Sequence, residues 1–309
     1  MEKDLRIILI APRSISKHET SEESFRLDYA YWNFYIPLLE LGHKVIFFDT
    51  SKFGNIQLKK TIEDFKPNLL FGIMTGSSYY CPDEPWDTIL EETKKGNIKT
   101  FNWFCDDTWR FDSFSKIACS YFHSCSTPES NFVSKYKNIG YNNIIYATWH
   151  ANPNLYSIDR LKLHKVSFVG RIDAFRIPYI EKLKQSSINV NIPKNVSFED
   201  LINTYSASLI GLNFSKTSTG NGTQIKARAF EVPACKSLLI SEHSEELSKC
   251  FNDGEEVLLF KNENELLEKL KILDDQKLLQ HMTMKGYMKF LNNHTSHIRL
   301  RKLLEDIFK

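Results

Sequence analysis

The residues with the clearest chemical potential lie in the second half of the chain. Gly170-Arg171 closes an apolar run, Lys165–Gly170, that reads as a strand. At a strand's carboxyl end a glycine lets backbone approach a ligand, and an arginine can clamp phosphate through two parallel N–H donors. A turn carrying a surface arginine fits the same pattern. A second group follows the apolar run Ser208–Phe214. The loop Ser215–Thr223 (SKTSTGNGT) is polar, with Ser215, Gly220, Asn221, Gly222 and Thr223 among its residues. It leads into a helix predicted over Thr223–Cys235 that carries Lys226, Arg228 and Glu231. Hydroxyls, glycines and a helix N-terminus together suit a diphosphate. Lys226 and Arg228 add positive charge two residues apart, and Glu231 lies one helical turn beyond Ala227. A carboxylate there could accept hydrogen bonds from both hydroxyls of a ribose. A loop followed by a solvated helix face of mixed charge is the plainer alternative.

The first half offers an acidic pair. Asp106-Asp107-Thr108-Trp109 follows the apolar run Lys99–Cys105. A carboxylate at that strand end could act as general base on a hydroxyl, or orient it. An acidic pair favoured by a helix dipole explains the same residues. Thr75-Gly76-Ser77-Ser78 ends another strand on the same edge and could line an acceptor pocket. Arg13, His18 and Glu19 sit in the long loop Pro12–Glu23, which makes His18 a second candidate base. Trp109 is the aromatic best placed to stack on a sugar. Tyr29, Tyr31, Trp32, Phe34, Tyr35 and Trp103 read as core.

Several chemistries lack their motifs. No G-x-G-x-x-G follows the first strand, and no phosphate-binding Walker loop, H-E-x-x-H or G-x-S-x-G occurs. His294 and His297 stand three apart without a further ligand nearby, so they read as a helix-start pair and no metal site is expected. The six cysteines form neither C-x-x-C pairs nor zinc spacings, and read as buried free thiols. The net charge of +2, from 40 basic and 38 acidic residues, gives no electrostatic case for nucleic acid or membrane. No apolar run approaches the length of a membrane span or a signal-peptide core. The N-x-[ST] sequons at Asn195, Asn213, Asn221 and Asn293 are then chance matches, and a cytosolic protein is expected.

The elements that must position these residues alternate. Strands are predicted at Arg6–Ala11, Lys44–Asp49, Asn68–Met74, Lys99–Cys105, Ser120–Cys125 and Asn143–Thr148. Helical spacing of apolar residues fills Asp28–Leu41, Ile56–Phe65, Pro85–Lys95 and Pro128–Lys137, the last with a start signal at Thr127-Pro128. Near-continuous apolar strands imply a parallel sheet covered on both faces. After a turn-rich connector, Ala151–Tyr156, the pattern restarts. Strands are predicted at Lys165–Gly170, Ile188–Asn191, Ser208–Phe214, Ser237–Ser241 and Glu256–Phe260. Helices are predicted at Ile172–Gln185, Phe198–Ser206, Thr223–Cys235, Ser244–Cys250 and Asn262–Leu273, and the stretch from Asp274 onward is helical. A chain of 309 residues suits two such α/β domains. Open sheets of this kind hold ligands at their strands' carboxyl ends, here in a crevice between domains.

The segment Arg228–Ile240 (RAFEVPACKSLLI) resembles the R-x-F-E-x-P-A-C-G-x-x-L-L signature of the CgeB-like glycosyltransferases, within the group-1 glycosyltransferases of GT-B fold. Phe168-Val169-Gly170-Arg171 resembles the family's F-V-G strand end. Val196–Leu201 resembles its V-S-x-E-x-L, and Ser208–Phe214 its S-K-I-G-L-N-L-S strand. Phe251–Phe260, Asn264-Glu265-Leu266 and Asn293-His294-Thr295 match further pieces in order to the chain end. In the first half, Leu41–Val45 (LGHKV) and Asp106–Trp109 also have counterparts in such chains.

The resemblance implies two Rossmann-like domains facing across a cleft. Residues 1–152 would form the acceptor domain, joined by a terminal helix from about residue 295 to 309 crossing back, and 153–294 the donor domain. It implies a metal-independent, hexosyltransferase-like enzyme with no cofactor, moving a sugar from a nucleoside-diphosphate sugar to a glycan, protein or small-molecule hydroxyl. UDP is the favoured carrier, with GDP or dTDP as options. Glu231 would bind the donor ribose, while Arg171, Lys226 and Arg228 would face the phosphates. Lys194, Asn195 and Val196 fall where the base sits. A non-catalytic nucleotide-sugar-binding protein or a sugar-nucleotide epimerase on the same fold are the alternatives. Two positions depart from the family pattern. Lys236 stands for the common glycine after Cys235, and Thr223 for the companion glutamate of the broader E-x7-E motif.

Overall fold

The computed structural model describes residues 4–16, 24–26, 28–77, 81, 83–194, 196–217, 220 and 222–309. The expectations for His18, Glu19, Ser78, Asn195 and Asn221 fall outside them. The chain divides into two compact units, one of Met1–Thr148 with Ser296–Lys309, the other of Trp149–Thr295.

Unit 1 is built on six parallel strands. In chain order they are β1 (Arg6–Ala11), β4 (Lys44–Asp49), β5 (Leu69–Gly72), β6 (Lys99–Trp103), β7 (Ser124–Thr127) and β8 (Ile144–Tyr146), with a small antiparallel hairpin of β2 (Ser14–Ser16) and β3 (Ser24–Arg26) after β1. The spatial order is β4-β1-β5-β6-β7-β8. Ile7 to Ile10 are wholly buried, as are Leu69 to Phe71. A strand covered on both faces needs such an uninterrupted apolar run, and each Leu or Ile so buried contributes roughly 1.5–3 kcal/mol. The helical stretch from Asp28 to Glu40 is widened by a π turn over Tyr31–Tyr35. The terminal helix Ser296–Ile307 belongs to this unit. It buries Leu300, Leu303, Leu304 and Ile307, and His297 Nε2 meets Glu40 Oε2 at 2.7 Å. The expected start at Thr127-Pro128 moves: Thr127 is still paired with Tyr146 in the sheet, so the helix begins at Ser130.

Unit 2 has five parallel strands: β9 (His164–Ser167), β10 (Val190–Asn191), β11 (Ser208–Asn213), β12 (Leu238–Glu242) and β13 (Leu258–Phe260). Their order is β10-β9-β11-β12-β13. Helix Phe198–Ser206 spans the predicted residues and opens on a capping box between Ser197 and Asp200. Two predicted helices are shorter. The one read from Ile172 starts at Ile177, because Pro178 lacks an N–H and is tolerated in a first turn but not further inside. The one read from Thr223 starts at Arg228, because Thr223 and Gln224 are paired with Lys216 and Ser215. His294 is buried against Phe230 and Phe251, with Nε2 3.0 Å from the Cys250 carbonyl, rather than open to a ligand. All six cysteines are free, and five are buried. Among the described residues no helix is long and apolar enough to cross a membrane.

Candidate functional site

In unit 2 the chain leaves β9 for β10 on one side and returns to β11 on the other. The carboxyl ends of β9 and β11 therefore flank the sheet's topological switch point, where open α/β sheets accept ligands. The segments after these two strands carry Gly170-Arg171 and the loop from Ser215.

Gly170 is defined by what lies over it. A Cβ there would come within 3.2 Å of Arg228 Nη2 and 3.0 Å of Phe168 Cζ. A side chain there would crowd the Arg228 guanidinium. Arg228 lies 5.2 Å and Arg176 5.6 Å from the centroid of the Phe168 ring, as cation–π neighbours. Arg176, at 7% exposure, is a buried arginine. It donates from Nη1 to the Arg171 carbonyl and meets the Asp173 carboxylate at 3.4 Å. Arg171 itself is exposed.

Lys226 stands just before the helix, with Nζ 2.7 Å from the Lys216 carbonyl. Burial, then Arg176 and Arg228, push its ammonium down to about 7, against the opposing pull of Glu242 and Asp173. Burial and Arg228 likewise lower the Arg176 value. Arg228 Nη1 is buried without a hydrogen-bond partner among the described residues. Three cations thus crowd together with two carboxylates near them, an arrangement of like charge that costs free energy.

The described ends of the loop from Ser215 pair as a hairpin. Thr217 N donates to Gly222 O at 3.1 Å, Gln224 N to Ser215 O at 2.9 Å, and Lys216 and Thr223 are bridged. Gly220 lies against the Phe175 ring. Glu242, the last residue of β12, anchors this hairpin: its Oε2 accepts from Lys216 N at 2.8 Å, and its carbonyl accepts from Ser215 Oγ at 2.7 Å.

Glu231, 4% exposed, lies on helix Arg228–Ala234. Its Oε1 accepts from the Tyr156 hydroxyl at 3.0 Å. Burial pushes its carboxyl up to about 7, opposed by that hydrogen bond and by Arg228. Val196 packs against the apolar cluster that contains Tyr156, while Lys194 is exposed. The structure therefore groups Gly170, Lys226, Arg228 and Glu231, with Arg171 joined through Arg176. Sequence reading missed Arg176, Glu242 and Tyr156. Pro178, by fixing the helix start, is the signal that would have put Arg176 in the loop; nothing in the sequence marks the other two.

In unit 1 the corresponding loops are held by satisfied groups. The buried Glu84 carboxylate accepts from Thr75 N at 2.6 Å, Thr75 Oγ1 at 3.1 Å and Gly76 N at 2.8 Å. Burial raises its carboxyl pKa. Arg110 donates to the Thr75 carbonyl and lies 4.4 Å from the Phe114 ring centroid. Gly76 has φ +62°, and a Cβ would fall 2.1 Å from Phe114 Cε2, so no side chain fits there. Arg13 N donates to Asp49 Oδ1 at 3.0 Å, and its guanidinium lies 3.7 Å from the Tyr31 ring centroid.

The acidic pair separates. Asp107 is 1% exposed and accepts from the Tyr136 hydroxyl at 3.1 and 3.0 Å on its two oxygens; burial raises its pKa. Asp107, read as a candidate base, thus has its carboxylate turned into the core and bound to a neutral donor. Asp106 is half-buried, with Cys105 Sγ 3.5 Å from Oδ2. Trp109 is 43% exposed, so its ring is open to a ligand.

Residues 154–305 match the family model described as glycosyl transferase-like. Among solved structures, the chain is similar to sucrose-phosphate synthase from Thermosynechococcus elongatus at 11% identity and TM-score 0.66, over 98% of this chain and 99% of that one. It is similar to AviGT4, a glycosyltransferase involved in avilamycin A biosynthesis, at 10% identity and TM-score 0.63, over 98% and 97%. Anabaena HepE in complex with UDP and glucose aligns at 12% identity and TM-score 0.61, over 98% and 99%. At such identities the likeness is one of fold, and the fold is GT-B. No curated protein sequence matches.

Proposed function

Residues 154–305 belong to the glycosyl transferase-like family within a chain of GT-B fold, and from that premise we propose that this glycosyltransferase moves a sugar from a nucleoside-diphosphate sugar to a hydroxyl acceptor without a divalent metal. One observation carries the reading: Arg176, Lys226 and Arg228 gather beside Glu231 at the switch point of the second sheet. Fixed positive charge in a partly dry site stabilises the negative charge that grows on a departing diphosphate. The role of a metal passes to these side chains, with Arg171 at the exposed margin. Glu231 accepts from the ribose, and the backbone around Val196 faces the base. The UDP held by HepE supports a uridine carrier.

Unit 1 takes the acceptor in this reading, along Thr75, Gly76 and Trp109. Asp106 is the general base that its half-exposed carboxylate permits. Free cysteines throughout suit a reducing compartment, and we place the enzyme in the cytosol.

The test is release of UDP from UDP-glucose in the presence of excess EDTA. Wild type is expected to turn over. Arg228→Ala and Glu231→Ala are each expected to lose at least about tenfold in kcat/KM with the fold retained, since a hydrogen bond to a charged group contributes about 1.5–3 kcal/mol. Full turnover by both variants rejects the donor site; strict dependence on added metal rejects the cationic mechanism.

A further inference from the structure

Among the described residues, few groups are placed to set the state of Glu231. Arg228, one turn earlier on the same helix, favours its charge. Tyr205, from helix Phe198–Ser206, and Cys235, just beyond the Glu231 helix, also face it. Burial pushes the Cys235 thiol up to about 12 and raises the Tyr205 phenol, so both are neutral near pH 7. The remaining partner is Tyr156, whose hydroxyl donates to Oε1 at 3.0 Å.

Tyr156 is itself rigidly placed. Its short helix, Pro153–Tyr156, is capped by the Asn152 side chain, which accepts from Asn154 N at 3.0 Å, and Tyr156 N donates to the Asn152 carbonyl at 3.2 Å. The ring is wholly buried and meets the Phe198 ring edge-on at 5.9 Å. A buried hydroxyl fixed in this way holds the Oε1 oxygen of the carboxylate in one place. Arg228, by contrast, is shared with the diphosphate in the donor reading.

Resting on that reading, we infer that Tyr156 is a positioning residue for ribose recognition: its hydroxyl fixes the Glu231 carboxylate as an acceptor for the ribose hydroxyls and so sets the preference for ribonucleotides over 2′-deoxyribonucleotides. Tyr156 does not touch the ligand. It acts by holding Glu231 ionised and oriented, so its removal makes the preference depend on pH in a way that loss of packing would not.

The experiment is calorimetric titration with the tighter-binding of UDP and GDP and with its 2′-deoxy analogue, from about pH 5.5 to 9. The ratio of the two dissociation constants cancels the contribution of Lys226 and the diphosphate. In wild type the ratio is expected to rise through about pH 7, where Glu231 ionises. In Tyr156→Phe the midpoint is expected to move up by about one pH unit, with discrimination at pH 7 falling severalfold and returning by pH 9. Glu231→Gln, which keeps the shape and removes the titration, is expected to give a low ratio at every pH. A Tyr156→Phe profile that superimposes on wild type overturns the inference, as does a pH-dependent ratio in Glu231→Gln. A wild type with no preference for the ribonucleotide defeats the ribose assignment of Glu231 itself, a failure visible before any variant is made.

Discussion

Two clusters of buried charge, one in each unit, are arranged in opposite ways. In unit 1, Glu84 and Asp107 are buried carboxylates whose oxygens are met by neutral donors from Thr75, Gly76 and Tyr136. In unit 2, Arg176, Lys226 and Arg228 are brought together, and one guanidinium nitrogen of Arg228 is left without a partner among the described residues. A satisfied buried charge braces a fold; a collection of like charges opposes folding and persists where a ligand completes it. Similar parallel sheets thus carry a satisfied carboxylate cluster in one unit and a cluster of like charges in the other.

That contrast breaks most readily at Asp107. Asp107→Ala removes the carboxylate that the buried Tyr136 hydroxyl donates to and is expected to lower stability by about 3 kcal/mol in urea unfolding. A loss below about 1 kcal/mol would mean that this carboxylate does not brace the unit. Arg228→Ala should do the reverse. It is expected to weaken donor binding by about 2 kcal/mol while leaving the unfolding midpoint within about 0.5 kcal/mol of wild type. Equal damage to folding and binding would make Arg228 a brace as well.

Lys226→Met sharpens the point through pH. The Lys226 ammonium sits at about 7 in the folded protein against an ordinary 10.5. The folded state therefore binds this proton less readily than the unfolded chain, and wild type loses stability as pH falls from about 10.5 towards 7. Without ligand, Lys226→Met is expected to be the more stable protein at pH 7 by about 1 kcal/mol, with the advantage vanishing by pH 10 and donor binding weakened. A constant difference across that range in thermal melts would contradict the assignment.

The smallest effect is a control. Lys236 has φ +52°, a left-handed conformation that disfavours any side chain, and its ammonium meets the exposed Asp159 at 2.6 Å. Lys236→Gly is expected to gain roughly 0.5 kcal/mol, the relief of backbone strain exceeding the loss of a surface ion pair, with donor affinity unchanged. Strain in unit 2 outside the cation cluster would then be separable from function.

Much of this was legible in the sequence. Arg6–Ala11 and Lys44–Asp49 run over the residues read as strands, because their continuous apolar cores, Ile7–Ala11 and Val45–Phe48, leave a parallel sheet little freedom in placement. Lys226 and Glu231 each lie within electrostatic reach of Arg228, a proximity their spacing in the sequence suggests. What escaped was set by tertiary pairing. Thr223 and Gln224 look helical by themselves, yet their backbone is claimed by Lys216 and Ser215. Glu242 and Tyr156 reach the site from the end of a strand and from a connector, 11 and 75 residues from Glu231 along the chain. Asp106 and Asp107 are neighbours in sequence, but one helical step turns the second into the core, a difference no spacing rule distinguishes.

The central claim is that the cation cluster of unit 2 receives a diphosphate without a metal. Calorimetric titration of the wild-type protein with UDP and with uridine, both in excess EDTA, tests it most directly. UDP is expected to bind at least about a hundredfold more tightly than uridine, as charge-assisted contacts from several cations require. Equal affinities for the two, or UDP binding that appears only when magnesium or manganese is restored, would contradict the account.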